Sequence, residues 1–327
     1  MSIKNVCFQL FSFNVRGLGQ KVKRNIIFDH LKQKSKKGIF LLQETHSSKL
    51  VEKKWEDEWG GKILYSHGST DSCGVMILLS PGMDINYTNI DTNNEGRTQY
   101  IEINMEDNSN LLLANIYAPT RNNMKEQLSF LTKLKSKLET LDYTHLAIGG
   151  DYNTIFNPDL DKQGGNMTNC TNEYTNELIN FMETYEMVDT FRMMHPDKKL
   201  FTRTQRNPMV LSRIDHWLLS SELCNYIKSC TVYPGVKSDH SIICVDLDSN
   251  NSPRGRGFWK FNSHLLHDKD YVDMINELLV TLEEDCKEIE DKGLKWDHMK
   301  CQIRGRTIAY SIKKKQIKKE RTKSVRR

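Results

Sequence analysis

The stretch HLAIGGDYN (residues 145–153) is an apolar run that ends in two polar side chains, Asp151 and Asn153. A short apolar run of this kind, bounded by glycine, is typical of a buried β-strand. Asp151 and Asn153 are two residues apart, so an extended backbone points both side chains in the same direction. The stretch therefore predicts a strand with a carboxylate and an amide at its downstream end.

The same arrangement recurs along the chain. Asn14 ends one apolar run, Glu44 follows another, and Tyr117 ends a third, while Asp215 lies in SRIDHWLLS and the pair Asp239 and His240 precedes the last run. Each residue alone has a plain alternative explanation, since an acid after a strand is usually a cap or turn residue and a lone His is usually structural. In open α/β sheets, however, ligands bind at the carboxyl ends of the strands. Eight such positions therefore indicate a shared site.

Hydrophobic periodicity predicts many short strands with a few helices between them. The expected strands are Val6–Asn14, Gly38–Gln43, Lys62–Tyr65, Gly74–Leu79, Gln99–Met105, Leu111–Tyr117, His145–Gly149, Arg213–Leu219, Ile227–Tyr233 and Ser241–Leu247. The expected helices are Lys21–Gln33, Ser47–Trp59 with Ser47 as its N-cap, Met124–Leu141 and Thr171–Met187. This order favours an α/β domain with two packed sheets and helices outside them.

Composition changes near residue 248, where Asp, Ser, Asn, Pro, Arg and Gly cluster. We expect a domain over residues 1–248, a linker over residues 249–257 and a helical basic segment over residues 258–327. Residues 301–327 hold eleven Lys and Arg and one Glu, a net charge of +10, which leaves −5 for residues 1–300. A basic tail indicates either a polyanionic partner or a solvated helix face.

The overall composition excludes several classes of protein. Of 327 residues, 38% are hydrophobic and 27% charged, which is globular rather than disordered. No apolar run approaches the roughly 18–20 residues of a membrane span. Residues 1–13 have no long apolar stretch and no small-residue cleavage site, so we do not expect a secretory signal. The 8 Cys are scattered without a CxxC pair, so they indicate reduced thiols in an intracellular protein.

The chemistry that suits these side chains is the hydrolysis of a phosphate ester. Mg²⁺ prefers hard oxygen ligands and keeps several waters, so one or two carboxylates suffice, and Glu44 is the first candidate. Asp151 can position water or metal while Asn153 holds a phosphate oxygen. A His kept protonated by a carboxylate puts positive charge where the transition state accumulates negative charge, and Tyr117 can donate to the same phosphate.

Six strings occur in a fixed order: FNVRGL (13–18), LLQETH (41–46), NIYAPT (115–120), GGDYN (149–153), SRIDHWLLS (212–220) and SDHS (238–241). Together they resemble the endonuclease/exonuclease/phosphatase superfamily over roughly residues 3–247. Within it they are most similar to the apurinic-type endonuclease domain of LINE-like (non-LTR) retrotransposon polyproteins. The resemblance implies a DNase I-like, four-layer α/β/β/α sandwich of two mainly antiparallel or mixed sheets, followed here by the helical basic tail.

The resemblance also implies an activity and its partners. Such an enzyme uses Mg²⁺ or Mn²⁺ and nicks one strand of double-stranded DNA, leaving a 3′-hydroxyl for target-primed reverse transcription. The expected partners are the DNA, and in a full-length polyprotein the reverse transcriptase domain and the element RNA; no membrane is involved. The expected location is intracellular, with the nucleus as the site of action and the cytoplasm as a second location.

Roles for individual residues follow from the matched motifs. The resemblance implies Tyr117, Asp151, Asp215 and His240 as catalytic residues, with Asp215 paired to His240 and Asp151 as proton donor or acceptor. It leaves open which group activates the water, and we expect Asp151 to be the base. It implies contacts between the substrate and three further residues, Asn14, Asn153 and Thr202. The implied metal site comprises Asn14, Glu44, Asp151, Asn153, Asp239 and His240.

Two features favour the retroelement branch. Repair-type apurinic endonucleases carry an acid two residues after the first-motif Asn, where this chain has Arg16. Arg16 binds a phosphate or is a solvated surface residue. The basic tail is similar to the segment that joins endonuclease to reverse transcriptase, and no Asp-Asp pair of a polymerase is present. A hairpin around Arg203–Leu211 is expected to probe the DNA groove.

Two alternatives stay open at this point. One is a phosphoesterase of the same superfamily that acts on an inositol, lipid or RNA substrate. The other is a DNA-binding fragment without turnover. A panel of substrates separates the first alternative from a DNA nuclease, and any nicking activity excludes the second.

Overall fold

The computed structural model describes residues 7–69, 72–90, 95–105, 109–165, 172–248, 265–266, 268–287, 289 and 291–325. The chain divides into two compact units, Met1–Gly255 and Arg256–Arg327. The predicted boundaries at residues 248 and 257 stay predictions, because residues 249–264 lie outside the described part.

The described strands and helices are numbered here in chain order. The strands are β1 Cys7–Asn14, β2 Gly38–Gln43, β3 Ile63–Ser66, β4 Val75–Leu79, β5 Tyr87–Ile90, β6 Thr98–Asn104, β7 Asn110–Tyr117, β8 His145–Asp151, β9 Lys162–Gln163, β10 Met187–Asp189, β11 Arg203–Arg206, β12 Met209–Ser212, β13 Asp215–Ser220, β14 Ile227–Tyr233 and β15 Ile242–Asp248. The helices are α1 Lys21–Lys34, α2 Glu52–Trp59, α3 Met124–Glu139, α4 Pro158–Asp161, α5 Glu173–Thr184, α6 Thr190–Met194, α7 Lys269–Asp285 and α8 Lys292–Val325.

Two six-stranded sheets form the first unit. Their strand orders are β14-β15-β1-β2-β4-β3 and β10-β13-β8-β7-β6-β5, and a small third sheet has the order β11-β12-β9. In the two large sheets, β1 pairs with β2 and β7 with β8 in parallel, and the other pairs are antiparallel. The expectation of mixed, mainly antiparallel sheets is confirmed.

Alternation along each strand explains the four layers. Successive residues of a strand face opposite sides, so Leu10 of β1 packs in the core shared by the two sheets while Phe11 packs against helices. The shared core joins residues of both sheets, among them Ile39 and Leu113. Outside it, the first sheet packs against α1 and α2, and the second sheet packs against α3 and α5. The predicted α/β/β/α sandwich is therefore confirmed.

Strand register brings the polar strand ends together. Parallel pairing puts Tyr117, the last residue of β7, beside Asp151, the last residue of β8. Antiparallel pairing puts Asp215, the first residue of β13, on the other side of Asp151. In the first sheet, Asn14 at the end of β1 pairs with the end of β2, one residue before Glu44. These ends meet at one edge of the sandwich.

The structure corrects two predictions of local structure. Ser47 is not a helix cap: it is buried, its Oγ lies 2.9 Å from His67 Nδ1, and α2 begins at Glu52 after a short 3₁₀ turn. The helix expected over Thr171–Met187 is shorter, because Asn172 caps it and Met187 already belongs to β10. Strands β5, β9 and β10 were not predicted, since two to four residues are too few to show a period of two.

The second unit contains the predicted helices of the basic tail. Helix α7 packs against α8 through a hydrogen bond of 2.7 Å between the hydroxyls of Tyr271 and Thr307. Asp268, which precedes α7, accepts a hydrogen bond from the Tyr310 hydroxyl at 2.6 Å and pairs with Lys314. Among the helices described, none combines the length and apolarity that a bilayer crossing requires.

Candidate active site

Asn14 links the two sheets at the edge where the polar residues meet. Its Nδ2 donates to Glu44 Oε1 at 2.8 Å and to Asp151 Oδ2 at 3.0 Å. Asn14 and Asp151 are almost fully buried, whereas Glu44 is half-buried. One amide thus holds two carboxylates that come from different sheets.

His240 is held by Asp215 and faces Asp151. Its Nδ1 donates to both carboxylate oxygens of Asp215, at 3.0 and 3.1 Å, and its Nε2 lies 3.9 Å from Asp151 Oδ2. The three side chains are buried. The predicted pairing of Asp215 with His240 therefore matches the geometry, and the free ring nitrogen faces the cleft that Asp151 also lines.

Burial and charge shift the pKa of both facing groups. Burial, with the neighbouring Asp215 carboxylate, raises the pKa of Asp151 to about 7. Burial alone would lower the pKa of His240, but the charge and hydrogen bond of Asp215 outweigh it and raise that pKa to about 9. At neutral pH His240 is a cation, and the raised pKa makes the Asp151 carboxylate a stronger base than an exposed one.

Thr202 lies behind Asp215 rather than in the open cleft. Its hydroxyl donates to Asp215 Oδ2 at 2.6 Å and accepts from the backbone N–H groups of Ile214 and Asp215. The side chain is 1% exposed. The contact predicted between Thr202 and the substrate stays a prediction that this geometry does not favour, because the hydroxyl is already used to orient Asp215.

Tyr117 and Asn153 flank Asp151. Tyr117 is hydrogen-bonded to Glu44, and burial together with the charges of Glu44 and Asp151 raises its pKa, so its hydroxyl keeps its proton. The Asn153 backbone N–H donates to Asp151 Oδ1 at 2.9 Å, and its Nδ2 donates to the Ala118 carbonyl at 2.8 Å. Asn153 therefore orients Asp151 and leaves its own amide oxygen for another partner.

Asp239 contacts two arginines. Its Oδ1 lies 3.2 Å from Arg16 Nη1, and its Oδ2 lies 3.4 Å from Arg203 Nε. Oδ1 is buried and accepts no hydrogen bond from the described residues. The role of Asp239 as a metal ligand stays a prediction, and in this geometry both of its oxygens face cations of the chain.

Backbone strain accumulates in the loops that follow the strands. Arg16, Glu44 and Asn153 have φ angles of 49°, 51° and 49°. Non-glycine residues in this left-handed region are held there at a cost of about 1–3 kcal/mol by their surroundings, and such residues cluster at functional sites. Here each of them follows a strand end and lies in the cleft or beside it.

The donor set suits a hard divalent cation. Ligand atoms of Asp151, Asp215 and His240 lie within 4.8 Å of one another, so this group could hold a metal ion through its two carboxylates; the role of His240 as a metal ligand stays a prediction, because a protonated imidazole has no lone pair to offer. Glu44 adds a second carboxylate, which Asn14 Nδ2 joins to Asp151, while Asn14 Oδ1 accepts from the Arg16 N–H, so the role of Asn14 as a metal ligand stays a prediction. Carboxylate and carbonyl oxygens are the ligands that Mg²⁺ and Mn²⁺ prefer, and the surplus of carboxylates over His240 leaves negative charge to be neutralised.

A buried ionic network behind the site escaped the sequence analysis. The Arg213 guanidinium donates to Asp161 at 2.8 and 3.0 Å and to Asp189 at 2.7 and 3.1 Å, and Arg192 donates to Asp161 at 2.5 Å. His216 Nε2 donates to the Thr154 carbonyl, and its Nδ1 lies 3.0 Å from Arg213 Nη1 and 3.7 Å from Asp189 Oδ2. Charged residues scattered over 55 positions carry no pattern that a sequence reveals.

The site opens into a cleft of about 540 Å³. Its lining includes Glu44, Tyr117, Asp151 and His240, together with the hairpin β11–β12. The hairpin predicted around Arg203–Leu211 is thus present and borders the cleft. A cavity of this volume accommodates a nucleotide-sized group.

Comparison with known proteins identifies one curated relative. No protein-family model matches the chain. An uncharacterized 149 kDa protein of transposon TX1 from Xenopus laevis is 28% identical over 243 residues, which are 73% of this chain and 18% of that protein. The chain thus spans less than a fifth of the length of this relative.

Solved structures share the fold. An AP endonuclease from Leishmania major superposes with a TM-score of 0.61 at 17% identity and covers 74% of this chain and 87% of its own. An AP endonuclease from Archaeoglobus fulgidus superposes with a TM-score of 0.58 at 20% identity, and the match covers 74% of this chain and 99% of that one. The endonuclease domain of TRAS1, a telomere-specific non-LTR retrotransposon, superposes with a TM-score of 0.54 at 13% identity. This match covers 74% of this chain and 99% of the TRAS1 domain. The motif resemblance is confirmed: the fold is DNase I-like, and the sequence relative is a transposon protein.

Proposed function

We propose that this chain is a metal-dependent DNA endonuclease of a LINE-like retroelement that nicks one strand by hydrolysis of a phosphodiester. The observation that carries the proposal is His240, held by Asp215 and facing Asp151 in a cleft that His240 and Asp151 both line. The transposon relative and the fold shared with AP endonucleases support a nuclease rather than another phosphoesterase.

His240 acts as the positive charge of the site. Its pKa of about 9 keeps the imidazole protonated at neutral pH, and Asp215 fixes the ring by accepting from Nδ1. The second N–H, at Nε2, is free to donate to a non-bridging phosphate oxygen. A donor fixed in advance stabilises the negative charge of the transition state without reorganisation.

Asp151 acts as the base. It takes a proton from the attacking water, whose oxygen then forms a bond to phosphorus as the bond from phosphorus to the 3′-oxygen breaks. The 3′-oxygen leaves as an alkoxide and takes its proton from solvent. A base is most effective when its pKa lies near the working pH, and burial raises the pKa of Asp151 to about 7. Asn14 and the Asn153 N–H hold both carboxylate oxygens in place.

Glu44 and Asp151, which Asn14 Nδ2 joins, would hold Mg²⁺ or Mn²⁺. Such an ion neutralises phosphate charge and orients the reacting oxygens. Tyr117 keeps its proton and donates to Glu44, and it lines the cleft where a phosphate oxygen would lie.

The products would be a 5′-phosphate and a 3′-hydroxyl, the end that a reverse transcriptase extends. The partners would be double-stranded DNA and, in a larger polyprotein, a reverse transcriptase domain with the element RNA. The site of action would be the nucleus. The transposon relative, of which the chain spans 18%, supports this setting.

A plasmid-nicking assay tests the proposal. Supercoiled plasmid is incubated with the full chain in Mg²⁺, in Mn²⁺ and in EDTA, and the nicked product is extended by a DNA polymerase without prior end treatment. We expect open-circular plasmid with either metal and none in EDTA, with ends that the polymerase extends. Intact plasmid under all conditions, or ends that require removal of a 3′-phosphate, would contradict the proposal.

A further inference from the structure

Arg16 and Arg203 share one carboxylate although they are 187 positions apart in the sequence. Asp239 lies between them, 3.2 Å from Arg16 Nη1 and 3.4 Å from Arg203 Nε. The Asp239 side chain is 19% exposed, whereas those of Arg16 and Arg203 are 57% and 38% exposed. The carboxylate is therefore mostly covered, and each guanidinium keeps free N–H groups on its outer side.

The backbone also holds both arginines in place. The Arg16 N–H donates to Asn14 Oδ1 at 3.1 Å, and the Arg16 carbonyl accepts from Lys23 Nζ at 2.6 Å, which keeps the residue at its φ of 49°. Arg203 begins β11 and forms a β-bridge with His240. Neither side chain makes a further hydrogen bond to a described residue. Both guanidiniums are therefore held in place and still have N–H groups that can donate to a ligand.

This pair of arginines lies between two concave surfaces. Arg16, Arg203 and Asp239 line the catalytic cleft and also line a neighbouring groove of about 1050 Å³. The described lining of the groove carries five Lys and Arg side chains, the protonated His240 and one acid: Arg16, Lys23, Arg203, Arg206 and Lys237, with His240 and Asp239. A single carboxylate cannot neutralise two guanidiniums, so the ridge between the surfaces keeps a net positive charge.

We propose that Arg16 and Arg203 form a phosphate clamp that binds a backbone phosphate next to the one being cut, an inference that rests on the proposed nuclease function. Arginine suits this task because its planar fork donates two N–H groups to one phosphate. One carboxylate shared by two guanidiniums leaves one positive charge, which matches the single negative charge of a phosphodiester.

The clamp lies next to His240. Arg16, Arg203 and His240 line both the catalytic cleft and the neighbouring groove, and Arg203 forms a β-bridge with His240. When His240 contacts the scissile phosphate, a strand that continues from the cleft into the groove passes the two arginines, which brings a neighbouring backbone phosphate against them.

In this proposal Asp239 is a positioning residue for Arg16 and Arg203. Both of its oxygens face guanidiniums, so it sets the spacing of the two cations rather than contacting the cation of the active site. Burial, and after it the charge of Arg16, lowers the pKa of Lys23, which agrees with positive charge crowded on this ridge.

DNA binding without cleavage tests the clamp. Binding of a fluorescent random-sequence duplex to the full chain is measured in EDTA over a series of NaCl concentrations, for wild type, Arg16→Gln, Arg203→Gln and the double variant. Glutamine strains the left-handed position no more than arginine does. The control is Lys53→Gln, since Lys53 is 87% exposed on α2 and lines neither concave surface.

Each arginine variant is expected to weaken binding about tenfold, the loss of one charge-assisted contact. Each is also expected to reduce the slope of log K against log salt by about 0.9, and the Lys53 variant is expected to match wild type. Slopes equal to wild type for both arginine variants would overturn the clamp. So would an equal loss of binding in the Lys53 variant.

A second variant tests the role of Asp239. Asp239→Asn is expected to raise the KM for plasmid while the Mg²⁺ concentration for half-maximal nicking is unchanged. A higher Mg²⁺ requirement would assign Asp239 to the metal and overturn its positioning role. Failure of wild type to nick would remove the proposed function alone, because the slopes measured in EDTA still decide whether Arg16 and Arg203 bind phosphates.

Discussion

Asn14 and Asp151 belong to different sheets and are joined by a hydrogen bond of 3.0 Å between side chains 137 positions apart. The same Asn14 amide donates to Glu44. Because two carboxylates repel each other and need donors when they are buried, this one amide makes the arrangement possible. The candidate site is therefore built across the interface between the two sheets.

Removal of this amide is expected to destabilise the fold. Asn14→Leu keeps the volume but leaves Asp151 Oδ2 and Glu44 Oε1 without their donor, which costs about 1–3 kcal/mol of unfolding free energy. Urea unfolding at neutral pH measures the change. The control is Asn225→Leu, an exposed position where a change within about 0.5 kcal/mol is expected. Equal stability of Asn14→Leu and wild type would show that the two hydrogen bonds of Asn14 Nδ2 do not contribute to the free energy of unfolding.

Glu44→Ala and His240→Ala are each expected to reduce plasmid nicking in Mg²⁺ by at least about 100-fold. The first removes a carboxylate suited to the cation, and the second removes the positive charge that Asp215 holds. Circular dichroism checks that both variants stay folded. Glu283→Ala and His298→Ala, at exposed positions of α7 and α8, serve as controls with unchanged nicking. Undiminished cleavage by either site variant would exclude the mechanism.

The pKa of His240 is expected to depend on Asp215. In wild type the Asp215 carboxylate outweighs burial and raises this pKa to about 9. In Asp215→Asn the charge is lost while burial remains, so the pKa should fall to the ordinary imidazole value of about 6.5 or below it. An NMR titration of the His240 ring measures both values. Nicking by the variant should then decline above neutral pH, and an unchanged pKa would refute the pairing as its cause.

Arg213→Met is expected to destabilise the protein by about 3–5 kcal/mol at neutral pH, because Asp161 and Asp189 are left buried without their partner. Burial alone would raise the pKa of both carboxyls, but the hydrogen bonds and charges of Arg213 and His216 lower it. A lowered folded-state pKa contributes stability above the unfolded value of about 4, and this stability is lost as the pH falls through the folded value.

The loss of unfolding free energy in Arg213→Met should therefore be largest near pH 7 and become smaller as the pH falls. Urea unfolding at a series of pH values from about 7 to 3 measures it. Arg206→Met, at an exposed position of the hairpin, is the matched control, with little change at any pH. A deficit that is independent of pH would mean that packing, and not charge, is what Arg213 contributes.

The basic tail is expected to add affinity for DNA that is independent of sequence. Deletion of Cys301–Arg327 should weaken duplex binding at low salt and flatten its salt dependence, because the tail neutralises phosphates. Deletion also removes the partner of α7, so a second variant keeps Lys314 and changes four other lysines to glutamine, which has a similar helix propensity: Lys313, Lys315, Lys318 and Lys319. An unchanged salt slope in both variants would show that the tail does not contact DNA.

Sequence patterns were enough to predict the strands that carry Asn14, Glu44, Tyr117 and Asp151. Buried strands are continuous apolar runs, and the polar residue that ends such a run is visible without a structure. The pairing of Asp215 with His240 was predicted from the motif resemblance, and the hydrogen bonds of the structure agree with it.

The sequence by itself thus determined the layers of the fold and the set of side chains at the strand ends. Only the tertiary structure decided which of them touch: Asn14 between Glu44 and Asp151, Thr202 behind Asp215, and Asp239 between Arg16 and Arg203. Hydrophobic periodicity depends on residues that are close together in the chain, so it can be read from the sequence. A contact between residues more than a hundred positions apart depends on how strands pair and sheets pack, and no local pattern records it.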